Sequence, residues 1–199
     1  MALQTLPPPG RDARETLRVL RAIPGILPLP PRRSSLPFSL IQESVPLGRL
    51  TEISGGPGSG KSEAVLRFAA EHPQGRLAWV EADPLAFPPA FASLGVRLER
   101  VLFAQAGRDA GWAALQVLRS SLFQVVALRG LRPGEALLHQ IQLEAEKAGS
   151  AVFLLEDEPL EGGSWALALR LTARRSQSLR SPDPLRVEAW KAEGLRMAG

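Results

Sequence analysis

Short apolar runs alternate with longer amphipathic segments through the middle of the chain. The apolar runs predict β-strands at 50–54, 77–81, 101–104, 124–128 and 151–155. Segments with apolar residues every three or four positions predict helices at 61–71, 88–94, 110–121 and 134–148. Because strands that are apolar on both faces need helices on both sides, this alternation indicates an α/β fold with a mainly parallel sheet.

The part of the chain after this alternating region predicts two further strands, at 165–173 and 185–192. A turn rich in arginine, serine and proline separates them. We expect both to be antiparallel strands added at one edge of the sheet.

The first 37 residues differ from the rest of the chain. Residues 11–23 predict a short amphipathic helix, and the prolines that follow it keep the next segment extended. We therefore predict an N-terminal helix and Pro-rich arm at 1–37, a core at 38–192 and a tail at 193–199. The apolar face of the helix must be buried, either on the core, on a neighbouring subunit or on a partner protein.

Composition narrows the classes of function. The chain has 199 residues, of which 45% are hydrophobic, enough for the core of one domain. It has no cysteine and two histidines, which excludes disulfides and disfavours a zinc site. No apolar run is long enough to cross a bilayer, so we expect a cytoplasmic protein without membrane contact. The net charge of +4, carried mostly by arginine, permits contact with nucleic acid.

The segment between the strand 50–54 and the helix 61–71 carries specific chemistry. It matches the pattern G-x-x-x-x-G-K-[ST] with Gly55, Gly56, Pro57, Gly58, Ser59, Gly60, Lys61 and Ser62. Glycines let backbone N–H groups turn inward around phosphate oxygens, and the next helix points its positive end at the anion. We expect Lys61 to reach the β and γ phosphates of ATP or ADP and the Ser62 hydroxyl to bind Mg²⁺. The segment therefore predicts a nucleotide-binding loop.

The sequence around this loop resembles the RecA family of recombination ATPases. The likeness spans roughly residues 46–190, and its motifs lie at 46–53, 77–83, 94–102 and 162–170. Within the family, the small core and short loops are most similar to the RecA-like accessory proteins of translesion-polymerase mutagenesis cassettes (ImuA). The resemblance implies nucleotide binding at a subunit edge, self-association through the N-terminal arm, and a role in DNA repair or the SOS response to DNA damage.

The chain departs from this family where an ATPase needs carboxylates. One carboxylate must hold the Mg²⁺ hydration shell, and another must activate the attacking water. The first position falls on Leu128 or Arg129, and neither is a Mg²⁺ ligand. Arg129 can pair with a phosphate, take the place of the cation, or simply point to solvent. For the second role, the family's glutamate aligns with Asp83, and Glu81 is the fallback candidate.

The strand 151–155 ends in three acidic residues and so imitates a Mg²⁺-binding strand, but it lies one strand too late for the family's order. The resembling proteins carry a polar sensor of the γ phosphate at this strand end. Glu156 would occupy that nucleotide-sensing position with the wrong charge.

Contact with DNA through the two loops that the family uses is disfavoured. The loop 156–164 holds four carboxylates and no Lys or Arg, and these repel a phosphate backbone. The loop 129–135 is equally brief, although it carries Arg129 and Arg132. A basic patch remains possible near the C-terminus if its arginines share one sheet face, the candidates being Arg170, Arg174, Arg175, Arg180 and Arg186. Exposed arginines that serve solubility are the alternative.

Three hypotheses about function follow. The first is a RecA-like accessory protein with a degenerate ATPase site that acts through a protein partner. The second is a working DNA-dependent ATPase that draws its carboxylates from Asp83, Glu81 or Glu156. The third is a DNA-binding module that uses the C-terminal arginines without nucleotide turnover.

Overall fold

A computed structural model describes residues 35–160, 166–176 and 184–190. Its strands are β1 (Ser35–Phe38), β2 (Glu43–Pro46), β3 (Arg49–Ser54), β4 (Leu77–Glu81), β5 (Val101–Gln105), β6 (Val125–Arg129), β7 (Ala151–Glu156), β8 (Leu167–Arg175) and β9 (Leu185–Trp190). Its helices are α1 (Lys61–Glu71), α2 (Pro88–Ser93), α3 (Ala110–Ser120) and α4 (Glu135–Ala148). None of the described helices is long and apolar enough to cross a membrane.

Seven strands form one sheet in the order β5-β4-β6-β7-β3-β8-β9. All neighbours from β5 to β8 pair in parallel, and β9 pairs antiparallel with β8. The strands β1 and β2 form a separate antiparallel hairpin. The predicted α/β fold with a mainly parallel sheet is therefore confirmed.

Helices cover both faces of this sheet. On one face, Phe68 of α1 lies edge-on against Phe153 of β7, with ring centroids 5.0 Å apart, and Phe91 of α2 lies against Trp79 of β4 at the same distance. On the other face, α3 and α4 bury their apolar side chains against alternate residues of the same strands. Burial on both faces explains why β4, β6 and β7 are apolar almost without interruption.

The structure corrects the prediction for the strand after β7. We expected this strand, β8, to be antiparallel, but it pairs in parallel with β3. β7 ends at the carboxyl edge of the sheet and β8 begins beside the amino end of β3, so β7 and β8 run in the same direction on either side of β3. Within the seven-stranded sheet, the only antiparallel pairing among the described strands is that of β8 with β9.

The β1–β2 hairpin was not predicted. Its apolar side chains Leu36, Phe38 and Val45 are buried in the core on the α1 side of the sheet. Phe38 packs edge-on against Phe68 with ring centroids 5.2 Å apart. The helix predicted at 11–23 and the tail at 193–199 lie outside the described residues.

Candidate nucleotide-binding site

The loop between β3 and α1 has the backbone geometry of a phosphate cradle. Gly58 and Gly60 have φ angles of +77° and +95°, which side chains disfavour, and α1 begins immediately afterwards at Lys61. The loop is tied to the sheet because the Gly55 N–H donates to the Glu156 carbonyl at 3.2 Å. The 11-residue helix α1 thus begins directly after this loop, which places its partly positive N-terminus beside the carboxyl end of β3.

A pocket of about 420 Å³ lies beside this loop at the carboxyl ends of the parallel strands. This edge is where open α/β sheets bind their ligands. Three cationic side chains and three carboxylates line it, from α1 and from the ends of β4, β6 and β7: Lys61, Arg129, Arg132, Asp83, Glu156 and Asp157. The structure therefore brings together four residues predicted from distant parts of the sequence, which are Lys61, Asp83, Arg129 and Glu156.

Lys61 is almost fully buried, with 8% of its side chain exposed. Its ammonium donates to the carbonyl oxygens of Gly55 at 2.6 Å and Gly56 at 3.4 Å. It also donates to the Asp157 carboxylate at 2.6 Å. An ammonium has three N–H donors, so these contacts engage every one.

Asp157 is a site residue that the sequence did not single out. Its hydrogen bond with Lys61 and the charge of Lys61 hold the pKa of Asp157 below its ordinary value. The guanidinium groups of Arg129 and Arg132 act in the same direction. The available signal was its place directly after Glu156 at a strand end.

Glu156 has the opposite environment. It is buried, and burial raises the pKa of its carboxyl group above the ordinary value. A hydrogen bond from the Arg132 N–H and the charge of Arg132 oppose that effect. The Oε1 atom of Glu156 has no hydrogen-bond partner within the described residues. Glu156 is therefore a poorly compensated acid at the back of the pocket.

Comparison with known proteins agrees with this geometry. No family model matches the chain. It is similar to the protein RecA of Geobacter metallireducens, with 32% identity across 73% of this chain and 43% of that protein. It is also similar to RecA of Geobacter sulfurreducens (30% identity, 71% of this chain, 42% of that protein) and of Chlorobium limicola (33% identity, 60% of this chain, 35% of that protein).

The chain has a RecA-like core. It spans less than half the length of these curated relatives.

The end of β6 in this RecA-like core resolves the ambiguity between Leu128 and Arg129. Leu128 is fully buried and packs on the α3 and α4 side of the sheet. Side chains alternate along a strand, so Arg129 falls on the α1 side, where it lines the pocket beside Lys61. A cation thus takes the position where the resemblance leads us to expect a carboxylate.

The same strand end does not fit a Mg²⁺ ion held by protein carboxylates. A guanidinium carries a positive charge and cannot act as a ligand. Of the three carboxylates in the pocket, Asp157 is bound to Lys61, Glu156 accepts the backbone N–H of Arg132, and Asp83 is exposed after the end of β4. No group of three or more His, Cys, Asp or Glu side chains that could hold a metal ion occurs in the described part of the chain.

The two candidates for water activation have different surroundings. Asp83 is exposed and lines the pocket. Glu81 is buried and accepts hydrogen bonds from the Trp79 indole and from the backbone N–H groups of Leu85 and Ala86, all at 3.2 Å. Glu81 therefore shapes the loop after β4, and the fallback role that we expected for it is disfavoured.

The described arginines predicted to contact DNA are divided between the two faces of β8. Arg170 is 13% exposed and forms an ion pair at 3.2 Å with the buried Glu52. Arg175 lies on the opposite face of β8, donates to the Gly58 carbonyl at 3.2 Å and forms an ion pair with Glu63. Arg174 and Arg186 are exposed and lie opposite each other in register on the Arg170 face, and Arg180 is outside the described residues. A DNA-binding role for Arg170 and Arg175 is therefore disfavoured because both side chains already serve the fold.

Proposed function

We propose that this chain is a nucleotide-binding RecA-like protein of DNA repair in which bound ATP or ADP is turned over weakly or not at all. One observation carries this proposal: Arg129 stands at the strand end that faces an intact phosphate loop. Such a pocket can still bind phosphate, because the backbone cradle and Lys61 do not depend on that strand end.

Several features of the pocket favour binding over hydrolysis. Arg129 supplies positive charge close to the phosphates, which reduces the need for a protein-held cation. Hydrolysis also needs a carboxylate that is held in place to orient water, whereas Asp83 is exposed on the loop after β4.

We further propose that the protein acts through partners in translesion synthesis, as a RecA-like accessory protein. The loop after β7 begins with the exposed Asp157 and Glu158, and an acidic loop suits a basic protein surface better than a nucleic acid. The proposal includes a second contact, either with a partner or with another copy of this chain, through the N-terminal arm that the sequence predicts before β1.

Nucleotide titration beside a hydrolysis assay tests the main proposal. Wild-type protein is expected to bind ATP and ADP with and without Mg²⁺, while its phosphate release equals that of Lys61→Ala. The Lys61→Ala variant should lose about 100-fold in affinity, because a charged hydrogen bond to a phosphate is removed. Lys147→Ala, which removes an exposed lysine near the far end of α4, is the matched control.

Two results would contradict the proposal. If wild type and Lys61→Ala bound nucleotide with equal affinity, the phosphate loop would not be the nucleotide-binding site. Phosphate release well above that of Lys61→Ala would favour the active ATPase instead. The position of Asp83 in the pocket is the observation that supports this second candidate, and Asp83→Asn should then abolish turnover without changing ATP affinity.

A further inference from the structure

The Asp157 carboxylate lies among all three cationic side chains of the pocket. Lys61 contacts it directly at 2.6 Å, and Arg129 and Arg132 line the same pocket. Three cations that line one pocket repel each other, and an anion between them reduces that repulsion. Asp157 therefore marks the position where this pocket holds an anion most favourably.

A terminal phosphate has the chemistry of that anion. It offers oxygen acceptors to ammonium and guanidinium groups as a carboxylate does, but with more charge and more acceptor oxygens. We propose that Lys61, Arg129 and Arg132 form the binding site for the terminal phosphate of a nucleoside triphosphate, and that Asp157 competes with that phosphate for them. This inference rests on the proposed nucleotide binding at the loop.

The contacts of Lys61 explain why Asp157 and a bound phosphate would compete for its ammonium group. Its three donors are engaged by two backbone carbonyls and by Asp157. The carbonyls belong to the loop itself, whereas the Asp157 side chain is 55% exposed and can rotate into solvent. A phosphate oxygen therefore reaches Lys61 by displacing Asp157.

The surrounding structure limits the movement to a short segment. Three residues after Asp157, the Leu160 N–H donates to Glu52 and its carbonyl accepts from Arg170 at 3.2 Å. On the other side, Glu156 is the last residue of β7. The exchange thus needs a side-chain rotation of Asp157 and leaves the sheet in place.

This competition predicts that the effect of Asp157 depends on the number of phosphates in the nucleotide, which a general charge repulsion does not predict. A triphosphate reaches the Asp157 position with its terminal phosphate, but a monophosphate bound at the same loop does not. Removing the Asp157 charge should therefore strengthen binding in the order ATP, then ADP, with little change for AMP. A carboxylate that instead helped to hold a cation would give the reverse, because its loss would weaken ATP binding.

The test titrates fluorescent ATP, ADP and AMP analogues, in EDTA and again in Mg²⁺, into wild type, Asp157→Asn and the control Glu158→Gln. Asp157→Asn is expected to bind ATP at least about threefold more tightly, the scale of a half-exposed ion pair, while Glu158→Gln matches wild type. Arg132→Gln should weaken the binding of ATP more than the binding of AMP. Thermal unfolding verifies that each variant is folded.

The outcomes separate this inference from the proposed function. The inference alone is wrong if wild type binds nucleotide in a Lys61-dependent way but Asp157→Asn does not bind ATP more tightly. It is also wrong if Asp157→Asn changes the affinity for ATP, ADP and AMP equally. Binding that appears only in Asp157→Asn supports it. If neither protein binds any of the three analogues, both the inference and the nucleotide-binding function are wrong.

Discussion

The phosphate loop and the strand ends that face it across the pocket differ in how completely their parts fit nucleotide chemistry. In the loop, Gly58 and Gly60 adopt left-handed backbone conformations, Lys61 is positioned by two carbonyls, and a helix begins at once. At the strand ends, Arg129 stands where a carboxylate is expected, and Glu156 is buried with one unpartnered oxygen among the described residues.

This difference separates two functions that one pocket usually combines. Phosphate affinity comes from backbone N–H groups, a helix end and a lysine, which all belong to the loop. Hydrolysis comes from carboxylates at the strand ends, which position the cation and the water. A protein that keeps the first half and changes the second retains a ligand and loses a reaction.

Three glycine substitutions test whether the loop half is as constrained as its geometry indicates. A Cβ at Gly55 would lie 2.6 Å from the backbone carbonyl of Ala173, a Cβ at Gly58 would meet only the cost of its φ of +77°, and a Cβ at Gly56 would meet nothing within 4 Å. We expect Ala to lower the unfolding free energy by about 3 kcal/mol at Gly55, by about 1 kcal/mol at Gly58 and by about 0 kcal/mol at Gly56.

Urea unfolding of Gly55→Ala, Gly58→Ala and Gly56→Ala measures this order. Each variant is the control for the others, since the added methyl group is the same. Equal costs at Gly55 and Gly56 would show that the loop adapts freely, and the contrast between the two halves of the pocket would disappear.

Restoring an acid at the end of β6 tests the other half. Arg129→Asp replaces the cation that lines the pocket beside Lys61 with a group that can bind the hydration shell of Mg²⁺. We expect ATP affinity in EDTA to fall about tenfold relative to wild type, and Mg²⁺ to recover most of that loss, because the lost charge must come from the metal. Isothermal titration with and without Mg²⁺ measures both effects.

Arg119→Asp, on the exposed surface of α3, makes the same charge change away from the pocket. If it reproduced the Mg²⁺ dependence of Arg129→Asp, the effect would come from the net charge of the protein. If neither variant changed ATP binding, Arg129 would have no role in phosphate affinity.

Local sequence was sufficient for the elements whose apolar pattern is strong. The helix at 61–71 and the strand at 77–81 were predicted at their observed ends, because the apolar periodicity of the helix and the buried apolar run of the strand are both clear there. The β1–β2 hairpin was missed because each strand has four residues, and Pro37 and Pro46 interrupt their pattern.

The pairing between Lys61 and Asp157 depends on the fold rather than on local sequence. These residues are 96 positions apart and meet because β3 and β7 are neighbours in register. The assignment of Arg129 to the pocket likewise needed the alternation of side chains along β6, which a one-residue uncertainty in the strand cannot resolve. The phosphate loop could be predicted from eight consecutive residues, whereas the opposite side of the pocket is assembled from the ends of several strands.

The smallest expected effect concerns the free energy of unfolding that the buried Glu156, at the end of β7, costs the protein. Burial raises the pKa of Glu156, so the unfolded chain loses this proton at lower pH than the folded protein does. Stability therefore falls as pH rises from about 4, the ordinary carboxyl range, through the raised pKa. Glu156→Gln removes this dependence and should stabilise the protein by about 1 kcal/mol at pH 8, with little change at pH 4.

Urea unfolding at the two pH values measures this effect, and Glu158→Gln is the exposed control from the same loop. A loss of stability in Glu156→Gln at pH 8 would mean that the Glu156 carboxylate is well compensated by Arg132. The strand-end half would then be as well ordered as the phosphate loop. The expected gain would instead indicate that this acid is retained at a cost to folding, as is common for residues that serve a ligand rather than the fold.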